Sequence, residues 1–193
     1  MTSVGVSVLT RSHAAWPRTL TERLGASSPK TLQVIGPEAL LAARRTALFS
    51  SAHTPGDVIL RAHDAARRLR DEDVTVISGF HSPIEKDCLK ILLRGKQPII
   101  VCRATAMDGM RISVEYRPAF EAGRLLFLSP FADLPRRLTK ESALRRNEVV
   151  AALADELVVA YASPGGAMEA LLAEARAWGI PCSLLVGAGQ SAS

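Results

Sequence analysis

Residues 74–102 read VTVISGFHSPIEKDCLKILLRGKQPIIVC. Two short aliphatic and β-branched runs, 74–79 and 98–102, enclose one stretch of helical periodicity. Ile84, Cys88, Ile91 and Leu92 repeat at three- and four-residue spacing and give that helix one apolar face. Its start is signalled by Ser82 as N-cap, Pro83 at the first helical position and Glu85 three residues after the cap, and Gly95 closes it. The unit is strand–helix–strand, and it recurs along the chain.

Upstream, TALFSS (46–51) reads as a strand, and GDVILRAHDAARRLRD as a helix with Val58, Ala62, Ala65, Ala66 and Leu69 on one face. Downstream come the strand RLLFLS (124–129), the helix KESALRRNEVVAALAD (140–155) and the strand ELVVAYA (156–162). A helix with Met168, Leu171, Leu172, Ala175 and Trp178 on one stripe and the strand IPCSLLV (180–186) end the series. A longer connection, ATAMDGMRISVEYRPAFEAG, separates 98–102 from 124–129. Nearly continuous apolar strands alternating with single amphipathic helices predict an α/β fold, Rossmann-like and doubly wound. Its sheet is mostly parallel with helices on both faces. Residues 1–45 hold LTRSHAAWPRTLTERLG, the run TLQVIG and a helix-like PEALLAARR. They read as an N-terminal extension packed on a core of 46–186. Residues 187–193, GAGQSAS, read as a flexible tail.

At 193 residues the chain is long enough for one domain with its own core. With 48% hydrophobic and 22% charged residues it is not disordered. No apolar run reaches the roughly 18 residues of a membrane span, and no basic segment followed by an apolar core suggests a signal peptide. Three scattered cysteines, Cys88, Cys102 and Cys182, without a C-x-x-C pair, fit reduced, buried thiols and a cytoplasmic protein. The four histidines have no ligand spacing, so neither a metal nor a cofactor is expected. Net charge is +5, and the densest basic stretch is RRLTKESALRR (136–146), with five basic residues including Lys140 and one acid. Such a stretch is either a solvated face or a nucleic-acid footprint.

In such a sheet ligands bind outside the carboxyl ends of the strands. The residues leaving those ends are Ser50, Ser51 and His53, then Ser78, Gly79 and His81, then Cys102 and Arg103, Ser129 and Pro130, and Ser163-Pro164-Gly165-Gly166. Hydroxyls and glycines ahead of helix N-termini suggest a phosphate-binding crevice; the same residues are also good caps and turn formers. No G-x-G-x-x-G, Walker A motif or Ser/His/Asp triad is readable, and no catalytic residue is assigned. The PGG of 164–166 is similar to part of the P-G-G-x-G-T-x-x-E signature of the "lonely guy" phosphoribohydrolases, but here Ala167-Met168-Glu169 follow. Glu169 comes two positions early, which on a helix is roughly a 200° rotation away from that pocket.

The segment order resembles the DNA-processing protein A family (DprA, also Smf), which shares a superfamily with those enzymes. The family core reads V-G-S-R at its first strand, S-G-x-x-x-G-I-D after the second and R-R-N-R-I-I-A-x-L-S-D before the fifth. Here these become FSSA (49–52), SGFHSPIE (78–85) and RRNEVVAALAD (145–155). WPRTLTERLG resembles the family's Y-P-x-x-L lead-in. The resemblance implies a non-enzymatic homodimer that binds single-stranded DNA in a basic pocket and assists a recombinase. Arg145 and Arg146 would contact phosphates from a helix start, Asn147 would order the loop, and Ser50, Ser51, Ser78 and Gly79 would line the pocket. Two positions depart from the pattern: Ala143 stands where the family has an aromatic, and Ala52 where it has an Arg. Counterparts of the N-terminal helical and C-terminal winged-helix-like domains of longer members are not seen. The competing readings are a nucleotide-binding sensor or a phosphoribohydrolase-like enzyme using the same crevice. A further alternative is that the arginines serve the fold by pairing with Glu141, Glu148 or Asp155.

Overall fold

Strands β3 (Arg45–Phe49), β4 (Thr75–Ser78), β5 (Ile99–Cys102) and β6 (Leu125–Ser129) pair in parallel, each one place further from β3. The helices between them are α2 (Gly56–Asp71), α3 (Pro83–Leu93) and the short α4 (Arg117–Glu121). Helix α5 (Lys140–Leu153) then carries the chain back across the sheet, and β7 (Glu156–Val159) pairs on the other side of β3. Helix α6 (Ala167–Ala177) leads to the edge strand β8 (Cys182–Leu184). This computed structural model describes residues 5–133 and 135–185; the tail expected at 187–193 lies outside them.

Strand interiors alternate as their pleat requires. Ala47, Phe49, Ile100, Cys102, Leu126 and Leu128 enter one buried cluster with residues of α5 and α6; Leu48, Ile99, Val101, Leu125 and Phe127 enter the other with residues of α2 and α3. Both faces of the sheet are therefore covered by helices. Helix α5 is enclosed on the first face, so its last turns, Val149 to Leu153, are apolar all round and wholly buried.

The N-terminal segment contributes strands of its own. β1 (Ser7–Thr10) and β2 (Thr31–Ile35) form an antiparallel pair, and β2 joins β6 antiparallel. Among the described residues the sheet thus has eight strands in the order β1-β2-β6-β5-β4-β3-β7-β8. Between the first two lies α1 (Arg18–Leu24), whose Arg23 donates to the carbonyls of Ala152 (3.0 Å) and Ala154 (2.6 Å). A cation there satisfies the open carbonyls at the end of α5 and complements its dipole. The helix-like PEALLAARR forms only one 3-10 turn, Glu38–Leu41. The chain must be extended again by Arg45, whose amide is held by Asp155 at 2.8 Å, which leaves no room for a second turn. The long connection after β5 holds a 3-10 turn, Val114–Tyr116, and α4.

Candidate nucleic-acid interface

The topological switch lies at β3, flanked by β4 and β7, so the crevice favoured for ligands opens over the ends of these strands. Glu85 ties two of those ends together. Its side chain closes the capping box of α3 by accepting from the Ser82 amide at 3.2 Å. The same carboxylate accepts from the amides of Ser50 (2.9 Å) and His81 (2.7 Å). Glu85 is buried, and burial pushes its carboxyl above the ordinary value, while the Ser50, His81 and Ser82 amides and the Arg146 charge pull it down. Between these loops Phe80 adopts φ 47°, a left-handed conformation costly for a non-glycine, with its ring buried and its amide donating to Ser78 Oγ at 3.1 Å.

Arg146 sits in the second turn of α5 and is 4% exposed. Its Nη1 donates to the Cys102 carbonyl at 3.2 Å and its Nε to Asn147 Oδ1 at 2.7 Å. A Cβ on Gly79 would overlap this guanidinium, so the glycine is what admits it. Arg145, about 100° further round the helix, points elsewhere: it donates to Glu148 at 2.8 Å and to the Ser27 carbonyl. The expectation of two adjacent arginines exposed over one crevice is corrected here. One is a buried strut and the other a partner of Glu148, because consecutive helical residues cannot share a face.

The remaining expected residues are dispersed. Ser50 and Ser78 are buried; Ser51 is half-buried and accepts from the Ser163 amide at 3.0 Å, joining the ends of β3 and β7. Exposed His53 lines a cleft of about 580 Å³ with Ala52, Thr54, Ile84, Tyr161 and Ser163. The Gly165 amide is taken by Glu169 Oε2 (2.7 Å) and that of Gly166 by the Ser163 carbonyl (2.9 Å), so the PGG turn is internally bonded. Lys140 is exposed at the start of α5, as are Arg136 and Arg137 just before it.

A second opening, of about 730 Å³, lies between the loop after β6 and the first turns of α5; Phe131, Pro135, Thr139, Leu144 and Arg145 line it. Its loop is fastened by Gln33 of β2, which accepts from the Met107 amide (2.7 Å) and donates to the Ala132 carbonyl (2.7 Å). Sequence reasoning passed over Gln33, although a lone polar residue inside the apolar run TLQVIG was a usable signal.

The sequence profile of the DNA recombination-mediator protein A family matches residues 7–176. The chain belongs to that family. The DNA processing protein A of Helicobacter pylori, described for its single-stranded DNA binding mode, superposes with TM-score 0.71 at 20% identity, covering 94% of this chain and 80% of that one. DNA processing protein A of Streptococcus pneumoniae superposes with TM-score 0.78 at 18% identity, covering 96% of this chain and 64% of that one. Comparison with curated protein sequences finds no match.

Within this DNA-processing fold the R-R-N to Asp run spans the sheet from edge to edge. Arg146 and Asn147 stand at the carboxyl ends of the strands. Asp155 stands at the opposite edge, where it accepts from the Arg45 amide and faces the buried Arg45 Nε at 3.6 Å. Desolvation lowers the pKa of Arg45, and the Asp155 charge opposes that shift. The run thus ties α5 to the end of β5 through Arg146 and to the start of β3 through Asp155. Of the two departures, Ala52 lies on the wall of the 580 Å³ cleft and Ala143 is half-buried in the first turn of α5.

Proposed function

We propose that this chain is a non-enzymatic DNA-processing protein that binds single-stranded DNA along the carboxyl edge of its sheet. Family membership supports the reading, and the observation that carries it is the exposed group Arg136, Arg137 and Lys140 at that edge, beside the N-terminus of α5. Guanidinium and ammonium groups around a helix N-terminus suit phosphate oxygens. Lack of catalysis is consistent with the carboxylates of Glu85 and Glu169 being engaged by backbone amides. The same reading makes the protein cytoplasmic, a partner of a recombinase and a homodimer, for which the sheet edge β8, with Ser183 and Leu184 exposed, is available. Among the described residues no helix is long and apolar enough to cross a membrane.

Titration of a fluorescent oligonucleotide at several salt concentrations tests this. Affinity should fall with salt with a slope of about −0.7 per phosphate neutralised. Absence of binding at low salt, together with saturable binding of a nucleoside monophosphate, would transfer the crevice to a small nucleotide.

A further inference from the structure

The chain has nine Phe, Tyr and Trp residues in all. Trp16, Phe49, Phe80 and Phe127 are buried in the two cores; Tyr116, Phe120, Tyr161 and Trp178 pack against them. Phe131 alone belongs to neither core. It is half-buried on the wall of the 730 Å³ groove, in a loop that the fold takes trouble to fix. Besides the Gln33 bonds, Ser129 Oγ donates to the Thr105 carbonyl at 2.9 Å, and the Ala106 amide donates to the Pro135 carbonyl at 3.1 Å. An aromatic ring that joins neither core, on a segment held by these hydrogen bonds, is open to another partner.

The surroundings say which. Arg136, Arg137 and Lys140 are exposed on the same short segment. Of the two acids in the groove, Glu148 is paired with Arg145 and Glu141 lies in the first turn of α5, where the helix dipole offsets it. A basic track beside an aromatic face is the arrangement that holds unpaired nucleotides: phosphates on the cations, a base on the ring. Ala143, in the first turn of α5, cannot supply such a ring.

We propose that Phe131 is the base-stacking platform of this chain: a nucleobase of bound single-stranded DNA lies on its ring in the groove between the β6 loop and α5, and the flanking phosphates lie on Arg136, Arg137 and Lys140. This inference rests on the single-strand binding proposed above.

The test uses the full chain and a labelled oligothymidylate. Phe131→Ala should weaken binding by about tenfold or more, the value of one lost base stack, without changing the salt slope or the unfolding temperature. Phe131→Trp should bind like the parent, and DNA should quench its added fluorescence. Leu60→Ala, exposed on α2 and lining neither opening, should leave affinity unchanged. If the parent binds and Phe131→Ala binds as tightly, the platform is elsewhere and only this inference falls. A weakened Phe131→Ala with an unquenched, equally weakened Phe131→Trp would make Phe131 a structural residue and overturn it too. A parent that binds no DNA removes both readings together.

Discussion

Gly79 leaves the space that the Arg146 guanidinium fills. One residue without a side chain, at the end of β4, lets the second turn of α5 reach the Cys102 carbonyl at the end of β5. The backbone at Gly79 does not require glycine, since its φ lies outside the left-handed region. Space alone explains the residue.

A double-mutant cycle exposes this relationship. Gly79→Ala should destabilise the protein by about 1–3 kcal/mol, because it displaces a buried, hydrogen-bonded cation. Arg146→Ala should cost about 2–3 kcal/mol, leaving the Cys102 carbonyl unsatisfied and Glu85 without a compensating charge. In the Arg146→Ala background the glycine substitution has nothing to displace and should be close to neutral, a coupling of about 1–3 kcal/mol in urea unfolding. Simple additivity would show that the two residues do not share the site.

Glu85 makes stability depend on pH. Its carboxyl is raised by burial, so the folded chain keeps a proton that the unfolded chain has already released. Its contribution to stability is therefore greatest below the unfolded value, about 4.3 for an ordinary Glu, and declines as pH rises towards the folded value. Glu85→Gln should remove that decline from a series of urea unfolding curves. It should also cost about 1–3 kcal/mol at low pH, because a Gln Nε2 cannot accept from the amides now bonded to a carboxylate oxygen. A pH profile identical to the parent's would place the titration on another group.

The cysteines should differ in reactivity. Burial pushes the thiols of Cys88 and Cys102 up to about 12, and both are closed to solvent. Cys182 on the edge strand is half-buried, with its pKa raised by partial desolvation. Iodoacetamide at mildly alkaline pH should modify Cys182 first, and Cys88 and Cys102 only after unfolding, as read by peptide mass spectrometry. Early labelling of Cys102 would mean that the core under α5 opens to solvent.

The strand–helix alternation after residue 45 was legible because each element carries its period in a few residues. Ser82, Pro83 and Glu85 announced the start of α3 and its capping box. The bond from Glu85 to the Ser50 amide was not legible, because it joins residues 35 apart along the chain through the packing of α3 on β3. Arg145 and Arg146 misled by adjacency: a local reading pairs them, and the helical rotation parts them. The antiparallel placement of β2 was hidden for a related reason. TLQVIG is apolar enough for either sense, and the direction is set by its partner β6. Phe131 was lost in a loop, where an aromatic has no periodicity to betray its role.

The basic residues of 136–146 should separate into two classes. Arg136, Arg137 and Lys140 are exposed, so each can exchange counterions for a phosphate. Arg145 already faces Glu148 at 2.8 Å and the Ser27 carbonyl, and Arg146 is buried. Replacing Arg136, Arg137 and Lys140 together by Ala should flatten the salt slope of single-strand binding by about two units, at about 0.7 for each phosphate released. Stability should change little, since exposed side chains contribute within about 0.5 kcal/mol. Arg145→Ala should alter the slope far less, because this arginine is already neutralised by Glu148 and holds no phosphate. Arg146→Ala should act through stability, with weakened binding that recovers when the protein is kept well below its unfolding temperature. Fluorescence anisotropy from low to moderate salt, run beside thermal unfolding of each variant, distinguishes these outcomes. A triple variant with the parent's slope would move the phosphate track off this segment, and a flattened slope in Arg145→Ala alone would return it to the second turn of α5.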